Sequence, residues 1–155
     1  MDFIINSAND ALRQEFGAGF GDKGVHVLDP FTGTGTFMVR LLQSGLINKN
    51  DLERKYKNEL HANEIILLAY YIAAINIEEA YHGLMDREYH PFEGIVLTDT
   101  FQMTEDRGVK KGAYSEKMFP VNNKRVLRQS KNDIRVIIGN PPYSAWQVSA
   151  NEGNK

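Results

Sequence analysis

The sequence contains no cysteine, which removes disulfides, thiolate metal sites and cysteine nucleophiles together. Long hydrophobic runs are missing as well. The longest, Ile65 to Ile75, has eleven residues, well short of the ~18 that span a bilayer. The first residues, Met-Asp-Phe-Ile-Ile-Asn, lack the basic start and apolar stretch of a signal peptide. Nor is there a surplus of one charge: 18 Lys and Arg against 20 Asp and Glu leave −2, so composition neither demands nor excludes a polyanionic partner. What is present is 155 residues, 42% apolar and 25% charged, enough for one soluble domain with a real core but not for two. A cytoplasmic domain with no membrane partner is expected.

The order of local signals is that of an α/β fold. Ser7 to Asp10 has the form of a capping box for a helix that Gly17 stops. Val25 to Leu28 reads as a buried strand, and Thr36 to Gly45 as a helix. Asn50 to Glu53 offers a second capping box, for a brief exposed helix. Glu59 to Asn63 is a second strand candidate, Ile65 to Ile77 a strongly buried helix, and Ile95 to Thr98 a third strand. A polar, partly helical connection leads to a fourth strand, Ile134 to Gly139. This alternation predicts a mostly parallel, doubly wound sheet with helices on both faces. Four strands are half of such a sheet, so the chain reads as a fragment of a longer protein.

Three features coincide after the first strand: a buried run, an acid at its end (Asp29), and a Gly-x-Gly turn, Gly33-Thr34-Gly35, that feeds a helix. Small residues let backbone approach a ligand, and a helix start offers unpaired N–H groups. A plain strand–helix turn is the bland alternative. No Gly-Lys-[Ser/Thr] follows, which argues against a phosphate-gripping P-loop. The third glycine of a dinucleotide fingerprint would fall at Met38. Asp29-Pro30 instead puts a carboxylate where an amine-bearing ligand could be met.

Asp29-Pro-Phe-Thr-Gly-Thr-Gly-Thr-Phe37 resembles the first motif of S-adenosylmethionine-dependent amino-methyltransferases, in the version of the DNA adenine-N6 enzymes. The resemblance implies a Rossmann-like class I methyltransferase fold with S-adenosylmethionine as cofactor. It implies that Asp29 faces the methionine amino group, that Pro30, Phe31, Thr32, Gly33 and Gly35 form the cofactor loop, and that Phe37 packs the loop onto the domain. Glu64, with Ala73 and Asn76 nine and twelve residues on, resembles the second motif, whose acid binds the cofactor ribose. Glu59 is the rival acid, and a simple helix-dipole role for Glu64 is the alternative. Asp99, after the third strand, matches the acid that meets the adenine amine, with Phe101 the nearest aromatic; an ordinary turn is equally compatible.

The sharpest feature is Asn140-Pro141-Pro142-Tyr143 at the end of the fourth strand. Two prolines fix extended backbone and remove two donors, leaving carbonyl oxygens without competition. Asn140 adds a side-chain carbonyl and Tyr143 a flat face. An amine conjugated to a ring is a poor nucleophile, and two acceptors that take both its hydrogens stabilise the positive charge it gains on attack. Tyr143 could stack on a base flipped from a duplex. A Pro-Pro loop stop is the bland reading of this segment alone. The order of motifs resembles adenine-N6 methyltransferases with the target-recognition region last. More narrowly, Asp29 to Phe37, Leu60 to Glu78 and Val96 to Phe101 resemble the methylase region of single-chain restriction–modification proteins that also carry nuclease and helicase parts.

Between Arg107 and Lys131 eight Lys and Arg stand against one acid, Glu116, a connection that either touches phosphates or is solvated surface. His26, His61, His82 and His90 show no ligand spacing, and His26 reads as a satisfied core histidine; no metal is expected. Trp146 either walls the target pocket or packs a neighbouring segment.

The reading is therefore that residues 1–155 form a partial methyltransferase domain, the cofactor-binding half plus the Asn140 loop. The longer protein would methylate adenine N6 in double-stranded DNA within a restriction–modification enzyme, and the fragment alone would be inactive. Competing readings keep the chemistry but change the acceptor (an RNA base or a glutamine amide), or make the chain a non-catalytic cofactor- or DNA-binding module. An NAD-dependent oxidoreductase stands further behind.

Overall fold

The computed structural model describes residues 1–85, 88–101 and 119–142. Tyr143 and Trp146, and the stretch holding Arg107, Lys110, Lys111, Glu116 and Lys117, lie outside the described residues. Four strands, β1 (His26–Asp29), β2 (Leu60–Glu64), β3 (Ile95–Leu97) and β4 (Ile134–Ile137), form one sheet in the order β3-β2-β1-β4. Every pairing is parallel. The architecture is the expected Rossmann-like α/β one. The order reverses at β1: β2 and β3 extend to one side and β4 returns to the other. In open parallel sheets the ligand crevice forms at that reversal, outside the carboxyl ends of the strands.

The helices are α1 (Asp2–Phe16), α2 (Thr36–Gln43), α3 (Lys49–Arg54), α4 (Leu67–Leu84) and α5 (Pro120–Gln129), with a π-helical turn at Lys55–Glu59. The core lies between the sheet and α1, α2 and α4. Val27, Ala62, Ala73 and Ile77 are fully buried there, and Tyr56 stacks on Tyr81 at 3.7 Å between ring centroids. At the β3 edge, Asn122 of α5 stands in for a strand: its Nδ2 donates to the Leu97 carbonyl, and its Oδ1 accepts from the Leu97 N–H. That pairing satisfies backbone groups which an open edge would expose.

Three local expectations differ from the fold. α1 begins at Asp2 rather than at the Ser7 capping box, because Asp2 to Phe16 forms one uninterrupted helix whose end, as expected, is a left-handed Gly17. The helix after Asn50 is not an exposed excursion: Leu52 is buried, and the π turn that follows buries Lys55 and Tyr56 completely. α4 is not strongly buried. Its apolar residues surround the whole helix, and only one side meets the core. Leu68 is 69% exposed, and Ile65, Ile66, Tyr71 and Ile75 are also exposed. Among the described residues no helix is long and apolar enough to cross a membrane.

Candidate functional site

The carboxyl ends of all four strands meet at one cavity of about 400 Å³, within the size range of small-molecule sites. Its wall takes Pro30, Phe31 and Gly33 from beyond β1, and Asn63, Glu64, Ile65 and Ile66 from β2 and its end. Thr98 to Phe101 come from beyond β3, and Asn140, Pro141 and Pro142 from beyond β4. Residues up to 112 positions apart in sequence, Pro30 and Pro142, are thus brought to one place by strand order. A larger, shallow groove between α2 and α4 is lined by Thr34, Asn76, Glu79 and neighbours, and shares no residue with this cavity.

The glycine turn is held from below. Gly33 and Gly35 both adopt left-handed backbone, with φ of 55° and 85°, which an L side chain strains. Gly35 has a second reason to be glycine: a Cβ there would lie 3.2 Å from both the Cα and the carbonyl oxygen of Ala73 in α4. Asn76 Nδ2 donates to the Thr34 carbonyl at 2.9 Å. Ala73 and Asn76 therefore brace the turn against α4. Gly35 and Thr32 serve the turn's geometry and do not line the cavity. The Thr32 hydroxyl donates to the Asp29 carbonyl, and the Thr32 N–H to the Asn63 carbonyl. Phe37 packs against the core, as expected.

Glu64 is the better placed of the two rival acids. Its Oε2 accepts the Gly33 N–H at 2.8 Å, and its Oε1 accepts the N–H groups of Ile65 and Ile66. The carboxylate ties the end of β2 to the glycine turn and keeps roughly one of its four acceptor positions open. Glu59 lies in the π turn before β2 begins. It accepts from Gly24 N–H and pairs with Lys55 and Arg54. Burial pushes its pKa up, but those hydrogen bonds outweigh it and hold the carboxyl below its usual range.

Asp29 is 1% exposed and does not line the cavity. Burial, opposed by the Phe31 N–H at 3.1 Å and reinforced by the charge of Glu64, pushes its pKa up to about 6. Asp99 does line the cavity, with Oδ1 accepting the Phe101 N–H at 3.0 Å. The Phe101 ring lies 5.2 Å from that of Phe31, so the aromatic two positions past Asp99 reaches the site.

Sequence reasoning passed over Asn63 and Thr100. Thr100 Oγ1 donates to the Pro30 carbonyl at 2.8 Å and accepts from Asn63 Nδ2 at 3.1 Å, linking the ends of β1, β2 and β3. Asn63 is 2% exposed and its Oδ1 is buried without a partner. A polar residue inside an otherwise buried strand was the available signal.

His26, His61 and His82, with Arg125 and Arg128 of the basic stretch, have partners within the chain. His26, half-buried, shares a 2.9 Å hydrogen bond with His61, and burial, helped by His26 and Arg128, lowers the His61 pKa to about 4. Of the basic stretch, Arg128 pairs with Glu93 and Arg125 donates to the Tyr70 hydroxyl, while Lys124 and Lys131 are exposed. No group of three or more potential metal ligands occurs among the described residues.

No protein-family model matches the chain, and no curated protein matches it. Solved structures do. A nuclease-deletion mutant of the Type ISP restriction-modification enzyme LlaGI, in complex with a DNA substrate mimic, is 48% identical over 99% of this chain with a TM-score of 0.85. The ATP-dependent Type ISP restriction-modification enzyme LlaBIII bound to DNA is 50% identical over 95% with a TM-score of 0.84. DrdV in a DNA complex is 44% identical over 99% with a TM-score of 0.85. The chain spans only 13%, 10% and 14% of those proteins' lengths. In sequence and in fold, then, it is homologous to one segment of large Type ISP restriction-modification enzymes.

Proposed function

We propose that the cavity binds S-adenosylmethionine and that the Asn140 loop presents the N6 amine of a flipped adenine to it, as the modification step of a DNA restriction–modification enzyme. The observation that carries this reading is the convergence of Asn140-Pro141-Pro142 with Gly33, Glu64 and Asp99 on one cavity at the sheet's reversal point. Homology to enzymes solved with DNA supports the choice of DNA over an RNA base or a glutamine amide.

The residues present fit such a cofactor. An apolar wall of Ile65, Ile66, Phe31 and Phe101 suits a purine, Asp99 stands beside it as an acceptor, and Glu64 keeps an open acceptor position for a ribose hydroxyl. When bound, S-adenosylmethionine supplies a sulfonium methyl group. Asn140 Oδ1 and a carbonyl oxygen of the diproline segment accept the two amine hydrogens. The nitrogen lone pair is thereby turned out of conjugation, and the charge it gains is stabilised. Transfer from a bound sulfonium would form the N–C bond as the C–S bond broke, and the surplus amine proton would pass to water. No strong general base is required.

The test uses the full-length protein, tritiated S-adenosylmethionine and duplex DNA. Label is expected at adenine N6 and absent from DNA lacking adenine. Label on adenine-free DNA or only on protein overturns the substrate assignment. An Asn140→Ala protein that keeps full transfer overturns the role of Asn140, and a wild-type protein that binds S-adenosylhomocysteine but transfers no label favours a non-catalytic module.

A further inference from the structure

Gly139 precedes the Asn140 loop, and nothing in its backbone demands glycine, since it is not among the positive-φ positions. Its surroundings do. A Cβ at this position would lie 2.6 Å from Asp29 Oδ1, 3.1 Å from Pro30 Cδ and 3.5 Å from Asp29 Cγ, the first far inside van der Waals contact. Immediately before it, the Ile138 N–H donates to the Leu28 carbonyl at 2.9 Å, so the end of β4 is pinned to the end of β1 and cannot slide away. Asp29 cannot give way either, being fully buried with its carboxyl engaged by the Phe31 N–H. The acid that closes β1 and the loop that closes β4 are therefore in direct contact, with no side chain between them.

We infer that Gly139 is a positioning residue: its missing side chain seats the Asn140 loop directly on the Asp29 carboxyl, so that the end of β1 fixes where the Asn140 acceptor stands. This deepens the methyltransferase reading and rests on it for its kinetic consequence. It also gives Asp29, which does not line the cavity, a route by which to act on the reacting end of the site. Burial has already raised the Asp29 pKa to about 6, and a methyl group against Oδ1 would desolvate it further and raise it again.

The test compares Gly139→Ala with wild type in the full-length protein. Gly83→Ala serves as a control, because a Cβ at Gly83 meets nothing within 4 Å. Gly139→Ala is expected to lower kcat for methyl transfer on the order of 10²-fold, the usual cost of a misplacement of about 1 Å. The dissociation constant of S-adenosylhomocysteine stays near wild type, and the acid limb of the kcat–pH profile moves to higher pH. Crystals of the variant are expected to show Asn140 to Pro142 displaced from Pro30 and Phe31. Wild-type kcat, a loss confined to cofactor affinity, or an undisplaced loop each overturns the inference. If the wild-type protein neither binds S-adenosylhomocysteine nor transfers methyl, the methyltransferase reading fails instead, and the crystallographic displacement still decides the contact.

Discussion

The two ends of the sheet treat buried charge in opposite ways. At the amino end, Lys55 is completely buried yet donates to the carbonyls of Asp22 and Val25 and pairs with Glu59 at 2.9 Å. Glu59 in turn gathers Gly24, Arg54 and Lys55. Every charge there has its partners within the chain. At the carboxyl end, Asp29 sits buried with one backbone donor while the Glu64 charge pushes it upward. Asn63 keeps a buried oxygen without a partner, and Asn140 stands exposed beside an apolar wall. Buried ions are tolerated when fully paired and are costly otherwise. The first end pairs its buried charges within the chain; the second leaves a buried carboxyl with one backbone donor and a buried amide oxygen with none.

That contrast is broken most directly by exchanging the effects of mutations. Asn140→Ala is expected to reduce methyl transfer by about 10²-fold or more, in line with removing one preorganised polar group, while the thermal midpoint stays unchanged. Tritium transfer and calorimetry on the same preparation check both halves. Lys55→Met at the opposite end should do the reverse. Leaving Glu59 short of a partner costs about 3 kcal/mol of stability, read by urea denaturation, with kcat near wild type below the transition.

The pH response sharpens the comparison further, because the two ends carry shifts of opposite sign. Asp29, raised to about 6, contributes stability that is complete below pH 4 and is lost as pH rises through 6. His61, lowered to about 4, contributes stability that is present above pH 6.5 and is lost as pH falls toward 4. Asp29→Asn should therefore raise stability at pH 8 by about 3 kcal/mol and leave pH 4 unchanged. His61→Gln should flatten the acid limb by a similar amount. Denaturation midpoints across pH 4 to 8 separate them. The smallest effect expected is that of Glu64→Gln, which retains a carbonyl acceptor for one neighbour. S-adenosylhomocysteine affinity should fall about tenfold, measured by titration calorimetry; unchanged affinity would move the ribose contact elsewhere.

Much of this was legible in the sequence, for identifiable reasons. Strands announced themselves because Val27, Ile95 and Val136 sit in short β-branched runs bounded by Asp, Gly and Pro, and the Gly33-Thr34-Gly35 turn has a backbone requirement that composition exposes. The burial of α4 was misjudged because eleven consecutive apolar residues carry no information about which side faces the core. Ala73 and Ile77 pack, while Leu68 and Ile75 do not. Nothing local in the sequence ties Glu59, the rival acid, to a distant Gly24 N–H, or buries Lys55 against the carbonyls of Asp22 and Val25. Asn63 carries a signal, a polar residue in a buried strand, but its link to Thr100 carries none, because the two residues stand 37 apart. Contacts set by strand order leave no local pattern.

The bond between Glu64 and Gly33 has a practical corollary. Because Oε2 of the carboxylate accepts the Gly33 amide at 2.8 Å while Oε1 takes those of Ile65 and Ile66, the Gly33 proton is a natural isotope-exchange reporter on the free protein. A sugar hydroxyl competing for the same oxygen would loosen it while the rest of the turn tightens. A residue whose exchange accelerates as its neighbours slow would let occupancy be followed without any label on the ligand.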